Sequence, residues 1–221
     1  APPIILHGAC PLGVQMASRL FCKSFLIGLS IAAPVGPIGL LCIQRTLGQG
    51  ARIGFISGLG AAMADACYGA LGAFGISAIT QIFVTLVTPL AFFGALFLAW
   101  MGVKILRASA PEHAASAGDP TRALPAFTSV FFLTLSNPLT ILSFVAIFAT
   151  LSSGETMSGA DGMVVVLGVF FGSALWWLTL SLGVSCVRHR LGVDAMRWID
   201  RSAGVFLLGF AAWQLVRVIA N

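Results

Sequence analysis

Residues 31–40 read IAAPVGPIGL, which puts Pro34, Gly36, Pro37 and Gly39 within six positions. The stretch lies inside a run from Ser24 to Gln44 that carries no charge. Proline removes a backbone donor and clashes with the preceding turn, so a helix that crosses here must break and free some carbonyls. In lipid such groups are tolerated only where they face protein or a water-filled cavity. The cluster therefore predicts either a kink packed by neighbouring helices or a binding site. The Asn137-Pro138 pair further along the chain favours the site.

Composition sets the class. Of 221 residues, 58% are hydrophobic and 9% charged, against about a quarter charged in soluble domains. This is an integral membrane protein. The net charge of +5 comes from short cationic clusters beside apolar runs, where cations orient helices. No basic patch interleaved with aromatics marks a nucleic-acid partner. The cysteines at 10, 22, 42, 67 and 186 form no CxxC and no zinc spacing, so neither disulfide nor metal is expected. Cys42, Cys67 and Cys186 read as small hydrophobes. His7, His113 and His189 lie outside the apolar runs, far apart in sequence. No cofactor is expected.

Residues 1–15, APPIILHGACPLGVQ, contain an apolar patch too short to span and no preceding cations, a poor signal peptide. The expectation is an extension or disordered start outside the fold, with a single transmembrane domain over 16–221.

Apolar runs at 24–45, 53–79, 82–103, 126–151, 163–187 and 202–219 predict six membrane-spanning helices. The polar pair Thr80-Gln81 is read as the break between the second and third. The sixth has only fifteen uncharged residues between Arg201 and Arg217, so Arg217 must snorkel. Alternation of the kind barrel strands show is absent, so the fold is all-α. Nine of the twelve cations fall in the odd-numbered loops, which places those loops in the cytoplasm and both termini outside.

The third and sixth runs superpose in sequence, FGALFLAWMGVKILR (93–107) on AGVFLLGFAAWQLVR (203–217). GPIGLLCI (36–43) lies over NPLTILSF (137–144), and GFISG (54–58) over GVFFG (168–172). These matches predict two three-helix halves, about 24–106 and 126–220, joined by the polar loop 107–125. Three is odd, so the second half enters from the opposite side, and the repeat is inverted. Transporters built this way hold their substrate near the midplane, where broken helices meet.

By helix rise, Asp65 lies ~18 Å, Asn137 ~17 Å, Pro37 ~12 Å and Pro34 ~17 Å from the ends of their runs. The midplane of a ~30 Å core is ~15 Å deep, so Pro34, Gly36, Pro37, Asp65, Asn137 and Pro138 form the candidate binding set. Asp65 is the single formal charge deep in any run. It must be protonated, paired or wet, its partner being Tyr68 or a serine from another helix, or it carries protons or a cation. Ser136 and Thr140 flank Asn137. Arg45 reads first as a topology anchor and second as a gate. Trp176-Trp177 reads as packing, and Gly54, Gly58, Gly168 and Gly172 as close helix contacts.

Residues 33–75 resemble the LysE/RhtB family of amino-acid exporters. The resemblance rests on Pro34-Val35-Gly36-Pro37, then Arg45, Gly48 and Gly50, and on Gly54, Gly58, Gly60, Ala64 and Asp65. Ser136-Asn137-Pro138 opens the second half in the same way, and Val35 departs from the family pattern. The resemblance implies an inner-membrane exporter of basic or small neutral amino acids, driven by the proton gradient. Its partners are then the amino acid, protons and the bilayer, with a homo-oligomer left open. A metal-cation exporter is disfavoured, because one deep acid without converging His, Cys or Met makes a poor metal site. An enzyme or thiol carrier lacks its nucleophile–base pair or CxxC. A non-transporting membrane subunit would need no deep acid.

Overall fold

The computed structural model describes residues 12–34, 36–74, 77–107, 122–137, 139–144, 158–188, 190 and 193–220; within them, the side chains of 12–14, 77–87, 90, 193, 194 and 196 are left aside. All regular structure among these residues is helical. Seven helices follow in order: α1 Leu12–Ala32, α2 Pro37–Gln49, α3 Ala51–Ala73, α4 Ser77–Arg107, α5 Ala123–Leu135, α6 Gly159–Arg188 and α7 Val193–Ala220. Residues 139–144 are also helical. Residues 1–11, 108–121 (read above as a polar loop) and 145–157 (with the end of the predicted fourth run) lie outside the described residues, while 12–15 form the first turn of α1.

Several boundaries differ from the sequence reading: the first run, read as 24–45, is two helices, Leu12–Ala32 and Pro37–Gln49. The second run ends at Ala73, where Phe74 N–H caps the Ala70 carbonyl. Thr80-Gln81 sits inside α4, because one polar pair costs a helix only tenths of a kcal/mol per residue. The last run is longer than its uncharged core, 28 residues in α7. Arg217 there lies over the Trp213 ring at 4.8 Å.

Three helices among the described residues are long and apolar enough to cross a membrane: Ala51–Ala73, Gly159–Arg188 and Arg197–Ala220. The pair Gln15–Ala32 and Pro37–Gln49, bent by 80° at the Pro-Gly cluster, passes the same test when taken together, as one broken span or a re-entrant loop. Large apolar side chains point outward, among them Phe93, Trp100, Phe171, Leu175, Val205 and Phe206. In water that surface would aggregate; in lipid it is the solvated face. The chain is a multi-pass membrane protein.

Helices pack through glycine. A side chain at Gly172 would strike the Phe25 carbonyl of α1, and one at Gly168 would strike Ser24. Gly60 lies against the Phe127 carbonyl of α5, and Gly58 against the Trp177 side chain of α6. Gly102 of α4 and Gly204 of α7 each face the other's carbonyl. Thus α1 packs on α6, α5 on α3, α3 on α6 and α4 on α7. Without a hydrophobic drive between helices in lipid, such close van der Waals approach holds the bundle. Gly50, at φ 93°, closes α2 by donating to the Thr46 carbonyl at 2.9 Å. Residues with a Cβ rarely adopt that conformation.

Candidate functional site

The two helix breaks share one construction. α1 stops at Ala32, and α2 restarts with Pro37 as its first residue and Gly36 before it in extended conformation. A first-turn proline loses no helical bond, and its fixed φ suits the helix. The Leu40 N–H then reaches the Gly36 carbonyl at 3.0 Å. In the second half α5 stops at Leu135, and the Ile141 N–H reaches the Asn137 carbonyl at 3.2 Å. Asn137 Oδ1 also accepts from the Leu139 N–H at 3.1 Å, the side-chain cap that glycine cannot supply. Pro138 and Val35 lie outside the described residues.

Both breaks open into one cleft. Pro37 and Ile38 of α2, Leu98 of α4, Leu133, Ser136 and Asn137 at the end of α5, and Phe210 and Gln214 of α7 line it. It is narrow as it stands, with room for little more than a water molecule behind its open mouth. Gly94 permits this convergence, since a Cβ there would come within 2.9 Å of the Ser136 side chain and 3.7 Å of Gln214. Gln214, 3% exposed, donates from Nε2 to the Ala91 carbonyl at 2.7 Å. Ser136 donates to the Phe132 carbonyl. The walls are apolar with a few amide and hydroxyl groups, the usual make-up of a small-molecule site. Pro34 is exposed at the bend and does not line the cleft; Gly36 has open space where a side chain would stand.

Asp65 faces elsewhere. It is 3% exposed, and Ser173 Oγ of α6 donates to its Oδ2 at 2.7 Å. Tyr68 turns to α5 and donates to the Leu135 carbonyl at 2.7 Å. Its ring stacks on Phe144 at 5.3 Å. Thr140 is buried beside this region of the chain.

Arg45 ties three helices together. Its Nη1 donates to Ser57 Oγ on α3 at 3.0 Å and to the Ala126 carbonyl on α5 at 2.8 Å, and its Nη2 to Ser129 Oγ at 2.8 Å. The preceding residue, Gln44, donates to Asp200 Oδ1 on α7 at 3.3 Å. The C-terminal end of α2 is thus pinned to α3, α5 and α7. Trp177 is buried against Gly58 as packing requires. Its Nε1 and the Ser181 Oγ are buried without a hydrogen-bond partner; each such group costs ~1–3 kcal/mol. Among the described residues no three His, Cys, Asp or Glu side chains group as metal ligands do.

A family model described as "LysE type translocator" matches residues 29–217, nearly the whole described bundle. The chain belongs to the LysE-type translocator family. Among similar proteins, "Putative amino acid efflux protein YcgF" of Bacillus subtilis (strain 168) is 30% identical over 196 residues, 87% of this chain and 93% of that protein. The "Leucine efflux protein" of Salmonella typhimurium is 24% identical over 194 residues, 86% of this chain and 92% of that protein. The "Threonine efflux protein" of Salmonella typhi is 23% identical over 186 residues, covering 82% and 90%. No solved structure matches the chain.

Within this LysE-type translocator, the sequence pointed to Pro37, Ser136 and Asn137 and the structure brings them together. It missed Leu98, Phe210 and Gln214. Of these only Gln214 left a trace, as a lone amide in an otherwise apolar run.

Proposed function

We propose that this LysE-type translocator exports a small neutral amino acid from a bacterial cell, exchanging it for protons by alternating access around the α2–α5–α7 cleft. The observation that carries the reading is the convergence of Pro37 and Asn137, from the two breaks, on one cleft. The architecture proposed is a six-helix inverted repeat in the inner membrane, with the odd loops in the cytoplasm and the termini on the periplasmic side. The packing supports it. A two-fold exchange of α1, α3 and α4 with α5, α6 and α7 leaves unchanged the pairs α1–α6, α3–α5, α3–α6 and α4–α7.

The N–H groups of the first turn of a helix have no partner within it and favour an anion. The start of α2, where Pro37 has no N–H and the Ile38 N–H is the first donor, would therefore take the substrate's carboxylate, with Gly36 leaving room for it. Gln214 Oε1 and Ser136 Oγ supply acceptors for the ammonium. Pro34 holds the first break open, and Asn137 fixes the second. Ile38, Leu98, Leu133 and Phe210 would meet the side chain. None of the lining residues is acidic, which favours a neutral over a basic cargo. The leucine and threonine efflux relatives agree with this choice.

Asp65 is assigned the proton, because a carboxylate buried at membrane depth is costly to keep charged and such residues mark proton relays. Arg45, with Gln44, closes the cytoplasmic end as a gate. Efflux from proteoliposomes preloaded with labelled amino acids, with and without an inward proton gradient, tests the reading. Gradient-driven release of a neutral amino acid is the expected result. Release of none of them by folded protein would overturn it.

A further inference from the structure

Ser173, Trp177 and Ser181 follow one another on α6 at intervals of four, so they stand in a row, about 6 Å apart along the axis. Ser173 is bonded to Asp65. The next two bear the buried unpartnered atoms, Trp177 Nε1 and Ser181 Oγ, on residues 4% and 1% exposed. Other buried hydroxyls on these helices satisfy themselves differently. Ser24, Thr46, Ser57, Thr134 and Ser136 each donate to a carbonyl one turn back in their own helix. Ser181 has the same option and does not take it. An ordered water is the usual partner for such groups.

α3 and α6 run antiparallel, with Gly69 against Val169, Asp65 against Ser173 and Gly58 against Trp177. The row therefore leads from Asp65 toward the α2–α3 turn at Gly50, beside which the Arg188 guanidinium lies.

We propose that Trp177 and Ser181 hold ordered water, and that this water and Ser173 form a file along which Asp65 exchanges its proton with the Arg188 end of the bundle. An indole N–H only donates, so it fixes a water by its oxygen and leaves both water hydrogens to donate onward. Serine accepts and donates, so Ser181 continues the file. Ser173, which donates to the carboxylate, turns to accept when the carboxyl carries the proton. A proton leaving Asp65 passes to Ser173 Oγ as Ser173 gives its own proton to the next water, and one proton emerges at the far end. The proton route rests on Asp65 being the coupling group; the presence of water does not.

Two measurements test it on reconstituted full-length protein. Radiolytic hydroxyl labelling in ¹⁸O-water reports water held at a buried side chain, and Trp177 should be oxidised despite its burial. Proton flux, read with an internal pH dye, and amino-acid counterflow at equal pH are then compared for Trp177→Phe and Ser181→Ala. The ratio of flux to counterflow should fall at least tenfold in each, since a positioned proton-transfer group contributes about 10²–10⁴-fold, and recover in Ser181→Thr. A purely structural role would lower both rates together. An unlabelled Trp177 in folded protein overturns the file, and an unchanged ratio overturns the proton route. If wild-type protein moves no amino acid, the proposed function fails, yet the labelling still decides whether the file holds water.

Discussion

Ser173 of α6 donates a 2.7 Å hydrogen bond to the Asp65 carboxylate of α3, joining residues 108 positions apart in the chain. Replacing Ser173 with alanine leaves that oxygen without its donor. Interhelical hydrogen bonds in membranes average ~0.6 kcal/mol, and a stranded buried acceptor costs up to ~3 kcal/mol. Thermal unfolding in detergent should show a loss within those bounds. Asp65→Asn keeps an oxygen for Ser173 to donate to, so it should fold normally while efflux ceases to follow the proton gradient. Gradient-driven efflux in Asp65→Asn equal to wild type would reduce Asp65 to a packing residue.

The glycine contacts sort substitutions by geometry. Gly172→Ala drives a methyl group into the Phe25 carbonyl, whereas Gly209→Ala meets nothing within 4 Å. Overpacking of this kind costs ~1–3 kcal/mol, so Gly172→Ala should unfold at lower temperature and Gly209→Ala should match wild type. Gly36 also has open space before it. Gly36→Leu should leave stability nearly intact while blocking transport, because it fills the room assigned to the carboxylate.

Sequence reading reached the breaks and stopped short of the faces. Pro34 and Pro37 act through local covalent geometry, so the end of α1 and the start of α2 were legible from the residues alone. Asp65 was legible because one charge stands out in an apolar run, and a serine from another helix was among its expected partners. Thr80-Gln81 misled, since short polar pairs do not stop a helix. Gln214, Phe210 and Leu98 were hidden for a different reason. Helices apolar all round carry no stripe that says which side turns inward; only the packing of α4 on α7 does.

Arg45 offers a direct test of closure, because Cys42, one turn earlier on α2, is completely buried. With the cysteines at 10, 22, 67 and 186 replaced, Cys42 should resist a membrane-permeant maleimide in wild type. Arg45→Ala removes the bonds to Ser57, Ala126 and Ser129, and should raise the labelling rate several-fold. Arg45→Lys should lie between, because an ammonium cannot reproduce the fork of the guanidinium. Equal labelling in all three proteins would show that Arg45 anchors the helix without closing it.

Asn137 has two roles to separate, the cap on the Leu139 N–H and the cleft wall. Loss of a side-chain cap costs ~0.5–2 kcal/mol, so Asn137→Ala should lower the unfolding temperature. Asn137→Asp restores an equally good cap but places a carboxylate at membrane depth, so it should recover only part of the temperature. The two variants part on transport. Aspartate puts a negative charge beside the place assigned to the substrate's carboxylate, so Asn137→Asp should bind the amino acid poorly even though its cap is kept. If Asn137→Asp recovered transport along with stability, Asn137 would be a cap alone, and the carboxylate would have to sit nearer Pro37 and away from the second break.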